Sequence, residues 1–116
     1  MNWNRNAIFR KVITVPVYDC TLVISVAKDL ALERKQWEKW FGPGPDSNNY
    51  DGLACWSGGH RFAIFLSVEG LTADVIAHEV FHVTHRIINW SGAGFDIDHQ
   101  ESAALLCGHL MKTVAK

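Results

Sequence analysis

Apolar residues recur along this chain with two different periods, and the change of period marks out its elements. Lys11 to Val17 and Thr21 to Val26 are rich in Val, Ile and Thr and predict two strands around Tyr18-Asp19-Cys20. Ala27 to Phe41 carries exposed charges and an aromatic cluster, Trp37, Trp40 and Phe41, and predicts a helix with those rings in a core. The run from Gly42 to Gly52 is too polar and too rich in Gly and Pro for an element, and is either a plain connector or a flap. Leu53 to Trp56 and Arg61 to Val68 predict a hairpin closed near Gly58-Gly59, the second strand with apolar residues on both faces. A helix follows from Leu71 to Trp90, with Thr72 as N-cap, and a last one from Asp98 to about Val114. Leu105, Leu106, Leu110 and Val114 of that last helix are expected to pack on Val80, Phe81 and Ile88.

The helix from Leu71 to Trp90 also carries the chemistry. At about 100° per residue, Ile76, Ala77, Val80, Phe81, Val83, Ile87 and Ile88 fill one arc, while His78, Glu79, His82, His85 and Arg86 fill the other. His78-Glu79-Val80-Phe81-His82 is an H-E-x-x-H motif. Histidines at i and i+4 have Cβ atoms about 5–6 Å apart, close enough for both rings to meet one zinc ion at about 2.0–2.1 Å. A catalytic zinc keeps a position for water and lowers its pKa to about 7. Glu79, beside His78, reaches that water more easily than the ion and suits a general base. Three ligands on one straight helix cannot surround an ion, so the third comes from elsewhere. His85 is one turn too far along and reads as a neighbour. The metzincin pattern is excluded, because it needs Gly at the place of His85 and His at the place of Ile88.

Composition narrows the rest. At 116 residues the chain is expected to form one domain, 1–116, with a single core. A formal net charge of −1 gives no basic excess, so no nucleic-acid partner is expected. Residues 1–41 hold seven Lys/Arg against four Asp/Glu, whereas 42–101 hold two against eight, a field that attracts cations near the motif. Cys20, Cys55 and Cys107 are odd in number and form no C-x-x-C, which suits reduced thiols in a cytoplasmic protein. Nothing approaches 18 consecutive apolar residues, so no membrane span is expected.

Eighteen residues separate His82 from Glu101, giving H-E-x-x-H-x18-E, and Gln100-Glu101-Ser102-Ala103-Ala104 corresponds to an Asn-Glu-x-x-Ala run with Gln in place of Asn. On these residues the segment from Ile64 to Lys116 resembles the gluzincin metallopeptidases, and the chain is similar to very small H-E-x-x-H proteins of bacteriophages and prophages. The Ala-rich run after Glu101 is also similar to the ImmA/IrrE type of repressor-cleaving peptidase, although Phe81 stands where that family often has Gly before the second His. The resemblance implies an α+β, minimal zincin-like fold. Its small, mostly antiparallel sheet of three to four strands would pack on the motif helix, with a ligand-bearing C-terminal helix and one N-terminal helix. It implies Zn²⁺ held by His78, His82 and Glu101, with Glu79 as base, and peptide or protein substrates. It also puts the strand before the motif helix at the sheet edge beside the metal, where an extended substrate adds by main-chain hydrogen bonds. Asp98 and His99 are the fallback ligands, and Glu101 equally fits the N3 place of a capping box begun by Asp98. The oxyanion-stabilising residue is left open among Tyr50, His60, His85 and His99. The competing expectation is a zincin-shaped protein that holds metal and turns over nothing.

Overall fold

The computed structural model describes residues 7–15, 18–42, 51–57, 60–69, 71–91 and 100–114, with the side chains of 7, 8 and 100–102 outside that set. The elements are β1 (Ala7–Val15), β2 (Cys20–Ala27), α1 (Leu30–Gln36), α2 (Glu38–Phe41), β3 (Gly52–Trp56), β4 (Arg61–Ser67), α3 (Ala73–Trp90) and α4 (Gln100–Val114). The four strands form one mixed sheet in the order β1-β2-β4-β3. β1 and β2 pair antiparallel, β2 and β4 parallel, and β3 and β4 antiparallel. The class is therefore α+β with a small mixed sheet. The strand directly before the motif helix, β4, is interior, and the edge strands are β1 and β3, a correction to the expected order. The parallel β2–β4 pair needs a long crossover, which α1 and α2 supply.

Helices cover both faces of this sheet, and the core accordingly has two halves. On one face Leu22, Ile24, Phe62, Ile64 and Leu66 meet Val80, Val83 and Ile87 of α3 and Ala103, Leu106 and Leu110 of α4. On the other, Val23, Ala63 and Phe65 meet Leu30 and Trp37. Double cover explains why Leu22 to Ala27 and Phe62 to Ser67 are buried without alternation. At about 25 cal/mol per Å² of apolar surface, each fully buried Leu, Ile or Phe contributes about 1.5–3 kcal/mol.

The predicted helix from Ala27 to Phe41 is two helices. Ala27 belongs to β2, Asp29 caps α1 by accepting from Leu32 N–H at 2.9 Å, and Trp37 (φ −100°, ψ 14°) breaks the run before α2. The break turns Trp37 into the core, edge-on to Trp40 at 5.2 Å, with Phe41 edge-on to Phe65 at 6.3 Å. The α1 face also buries charge. Arg10 donates to both carboxylate oxygens of Glu33 at 2.7 and 2.6 Å, and Ser25 Oγ and Trp37 Nε1 donate at 2.5 and 3.3 Å.

Thr72 stands at the N-cap of α3 in extended conformation, but its side chain makes no capping bond. Asp74 in the first turn takes that part. Its carboxyl is held below its usual value, first by the Thr72 hydroxyl and then by the N–H groups of Asp74 and Val75. α3 ends where Ser91 N–H donates to Ile87 O at 2.9 Å and Ser91 Oγ to Ile88 O at 2.6 Å. In α4, Leu106 and Leu110 are buried and Val114 packs at the core margin, whereas Leu105 is 67% exposed. The expected contact through Leu105 and Phe81 is thus corrected, since Phe81 is also half exposed. Among the described residues all three cysteines are free, and no helix is long and apolar enough to cross a membrane.

Candidate metal centre on α3

The site begins with how closely α3 approaches the edge strand. Gly52 opens β3, and a Cβ there would lie 2.9 Å from Glu79 Cγ and 3.0 Å from Val75 Cγ1. Only a residue without a side chain lets the helix come this near. The β3–β4 register pairs Gly52 with Leu66, and Ser67 N–H donates to Asp51 O while Ser57 N–H donates to Arg61 O. In an antiparallel ladder of that phase, residues 52, 54 and 56 turn their main-chain groups to the free edge. One of these, the Ala54 N–H, is taken by the Glu79 carboxylate.

Glu79 therefore does not lie on the polar arc that its hydropathy predicts. It is buried with Val80, Val83, Thr84, Ile87 and Ile88, while Ala77 and Phe81 are exposed. The buried stripe is rotated toward β3 because Gly52 removes the obstacle there. Burial pushes the Glu79 carboxyl above its usual range; the nearby His78 and His82 and the Ala54 N–H offset part of that rise. A carboxyl tuned upward in this way keeps its proton to a higher pH than an exposed glutamate does.

His78 and His82 stay exposed on the neighbouring row, their Nε2 atoms 3.2 Å apart and their rings nearly perpendicular, at 77°. Two nitrogens each about 2.0–2.1 Å from a tetrahedral ion are separated by about 3.3 Å, close to the separation of this pair. The same separation suits an N–H···N bond between neutral rings. A carboxylate flanks the pair: Glu79 Oε2 is 4.0 Å from His78 Nε2.

The sequence-predicted residues sort as follows. His78, Glu79 and His82 come together. Glu101 lies in the first turn of α4; its side chain, like Tyr50, Asp98 and His99, lies outside the described residues. Among the described residues no group of three or more His, Cys, Asp or Glu is arranged to hold a metal ion. His85 is half-buried, its ring 6.3 Å from that of Phe81. His60 is exposed just before β4, its carbonyl accepting from Thr21 N–H. Its backbone is about 13 Å along the strand from Ile64, the partner of Ala54. Cys107 is half-buried in α4.

Two contributors were not foreseen. Gly52 reads in the sequence as the end of a polar loop, and Ala54 acts only through its main chain, which leaves no compositional signal. Comparison with family models, with curated protein sequences and with solved structures found no match to this chain.

Proposed function

We propose that the protein is a metal-dependent peptide-bond hydrolase of zincin-like fold, with His78 and His82 as zinc ligands, Glu101 as the third, and Glu79 as general base. The observation that carries the reading is the pair of Nε2 atoms 3.2 Å apart with a buried carboxylate 4.0 Å to one side. Zinc, when bound, would supply a Lewis acid that polarises a peptide carbonyl and acidifies water. The chain's own part is to hold and move a proton. Glu79 lies beside His78 and near the Ala54 N–H, from where its carboxylate can pass a proton from the nucleophile to a leaving amine. Gly52 and Trp56, with the Ala54 carbonyl, offer main-chain groups along the free edge of β3, where an extended peptide can lie as an added strand. The test is digestion of a broad peptide mixture at neutral pH with and without chelator. Chelator-sensitive cleavage is the expected result; no cleavage by zinc-loaded protein contradicts it.

One observation favours a second reading, a non-catalytic metal-holding protein. The Glu79 carboxylate is buried and already engaged by Ala54, which also describes a structural tie between α3 and β3. That reading predicts bound zinc, no turnover, and a large loss of thermal stability on chelation.

A further inference from the structure

We propose that Arg86 is a substrate-positioning residue beside this centre, and that the site takes peptides bearing a carboxylate, at the C-terminus or on an acidic side chain. The inference rests on the hydrolase reading above and names its substrate class. His78, His82 and Arg86 stand at i, i+4 and i+8 and form one row on α3, so Arg86 is the next neighbour of His82, about 6 Å along the helix. Long side chains on a helix lean toward its N-terminus, the end at which His78 and His82 stand relative to Arg86. The guanidinium carbon lies 3.9 Å from the ring centroid of Trp56, over its face. Trp56 ends β3, two residues after Ala54, so the cation stands where the helix row and the strand edge converge.

A guanidinium held over an indole face is restrained by the ring and keeps N–H groups for a further partner. That is the geometry for a two-point grip on a carboxylate. Arg86 is exposed, and among the described residues no carboxylate pairs with it, whereas Arg10 on the other face is gripped by Glu33. Arg86 and Arg61 are the only Lys/Arg between positions 42 and 101, which hold eight Asp/Glu. Arg61 stacks on Trp40, on the α1 side of the sheet, at 4.2 Å. Within this acidic segment, then, an anionic substrate group on the α3 side meets one cation, next to the histidine pair.

The test uses three probes on the full chain: pentaalanine with a free C-terminus, its C-terminal amide, and an amidated alanine peptide with one internal Glu. Binding is read by NMR from the Arg86 Nε–H resonance, assigned by its loss in R86K; no turnover is needed. The expected result is a saturable shift with the carboxylate peptides and none with the neutral amide. The free-acid and Glu-containing probes together tell a terminal from a side-chain carboxylate. Equal response to all three, or no response to either carboxylate, overturns the inference. In parallel digests by zinc-loaded protein, R86Q is expected to lower the preference for carboxylate over neutral peptide about 10- to 100-fold, with R86K between the two. A carboxylate-selective shift without chelator-sensitive cleavage sinks the hydrolase reading and leaves the anion site standing. Cleavage of neutral and anionic peptides at equal rates by wild type and R86Q sinks the anion site and leaves the hydrolase.

Discussion

Glu33 and Glu79 are two buried carboxylates on opposite faces of one small sheet, and they are tuned in opposite directions. Burial pushes both upward. At Glu33 it is outweighed by hydrogen bonds from Arg10 and Ser25, the Arg10 charge and the Trp37 indole, and the carboxyl ends below its usual range. At Glu79 the offsets, from His78, His82 and the Ala54 N–H, are too weak, and the carboxyl ends above it. The difference lies in the partners rather than in the depth. A carboxylate matched to a guanidinium through two bonds is locked in one protonation state and serves structure. One left with a single amide donor and two imidazoles has no matched cation to hold its charge, and under the proposed function it is the group that moves a proton. Each face of the fold thus has its own reason to bury a charge.

The sharpest way to break this contrast is Glu79→Gln. It removes the base while keeping the size of the side chain, and is expected to reduce turnover about 10²- to 10⁴-fold with zinc content unchanged. Turnover equal to wild type removes Glu79 from the mechanism. The matching change on the other face, Glu33→Gln, is expected to cost about 3 kcal/mol in urea unfolding. That is the low end for breaking a buried pair, because Arg10 is 21% exposed and can reach water. Loss of turnover at E33Q without loss of stability would show that the two faces are not separate. Gly52→Ala tests the close approach of α3 to β3. The added Cβ would displace Glu79 Cγ and Val75 Cγ1, costing about 1–3 kcal/mol and lowering turnover through Glu79.

The smallest effect is the pH dependence of the Glu33 contribution. Its folded-state pKa is depressed, so the unfolded chain binds the proton first as pH falls. The stability gap between wild type and E33Q should therefore be constant above about pH 5 and shrink as pH drops through about 4.3 and on through the lower folded value. A gap that widens on acidification reverses the assignment.

Much of this architecture was legible from residue order, for identifiable reasons. α3 is long enough, and apolar often enough at helical spacing, that tertiary context had little to override; the strands announced themselves through Val, Ile and Thr. The parallel β2–β4 pairing was not legible, because Leu22–Val26 and Phe62–Leu66 are apolar on both faces and so carry no directional pattern. Nor was the break at Trp37, where core packing of one indole overrode a continuous helical pattern. Of the candidate site, His78 and His82 were read directly from their spacing. The burial of Glu79 was not, since a helix wheel sorts residues by polarity and cannot know that a strand glycine opens room for a carboxylate. The expectation at Glu101 rests on spacing alone, with its side chain outside the described residues.

Metal content of tag-free protein, measured by elemental analysis on wild type and on the His78→Ala/His82→Ala double variant, tests the account most directly. One equivalent of zinc per chain in wild type and none in the folded double variant is the predicted result. Wild type without metal after purification in the presence of zinc, or a double variant that keeps its zinc, contradicts a metal centre on α3.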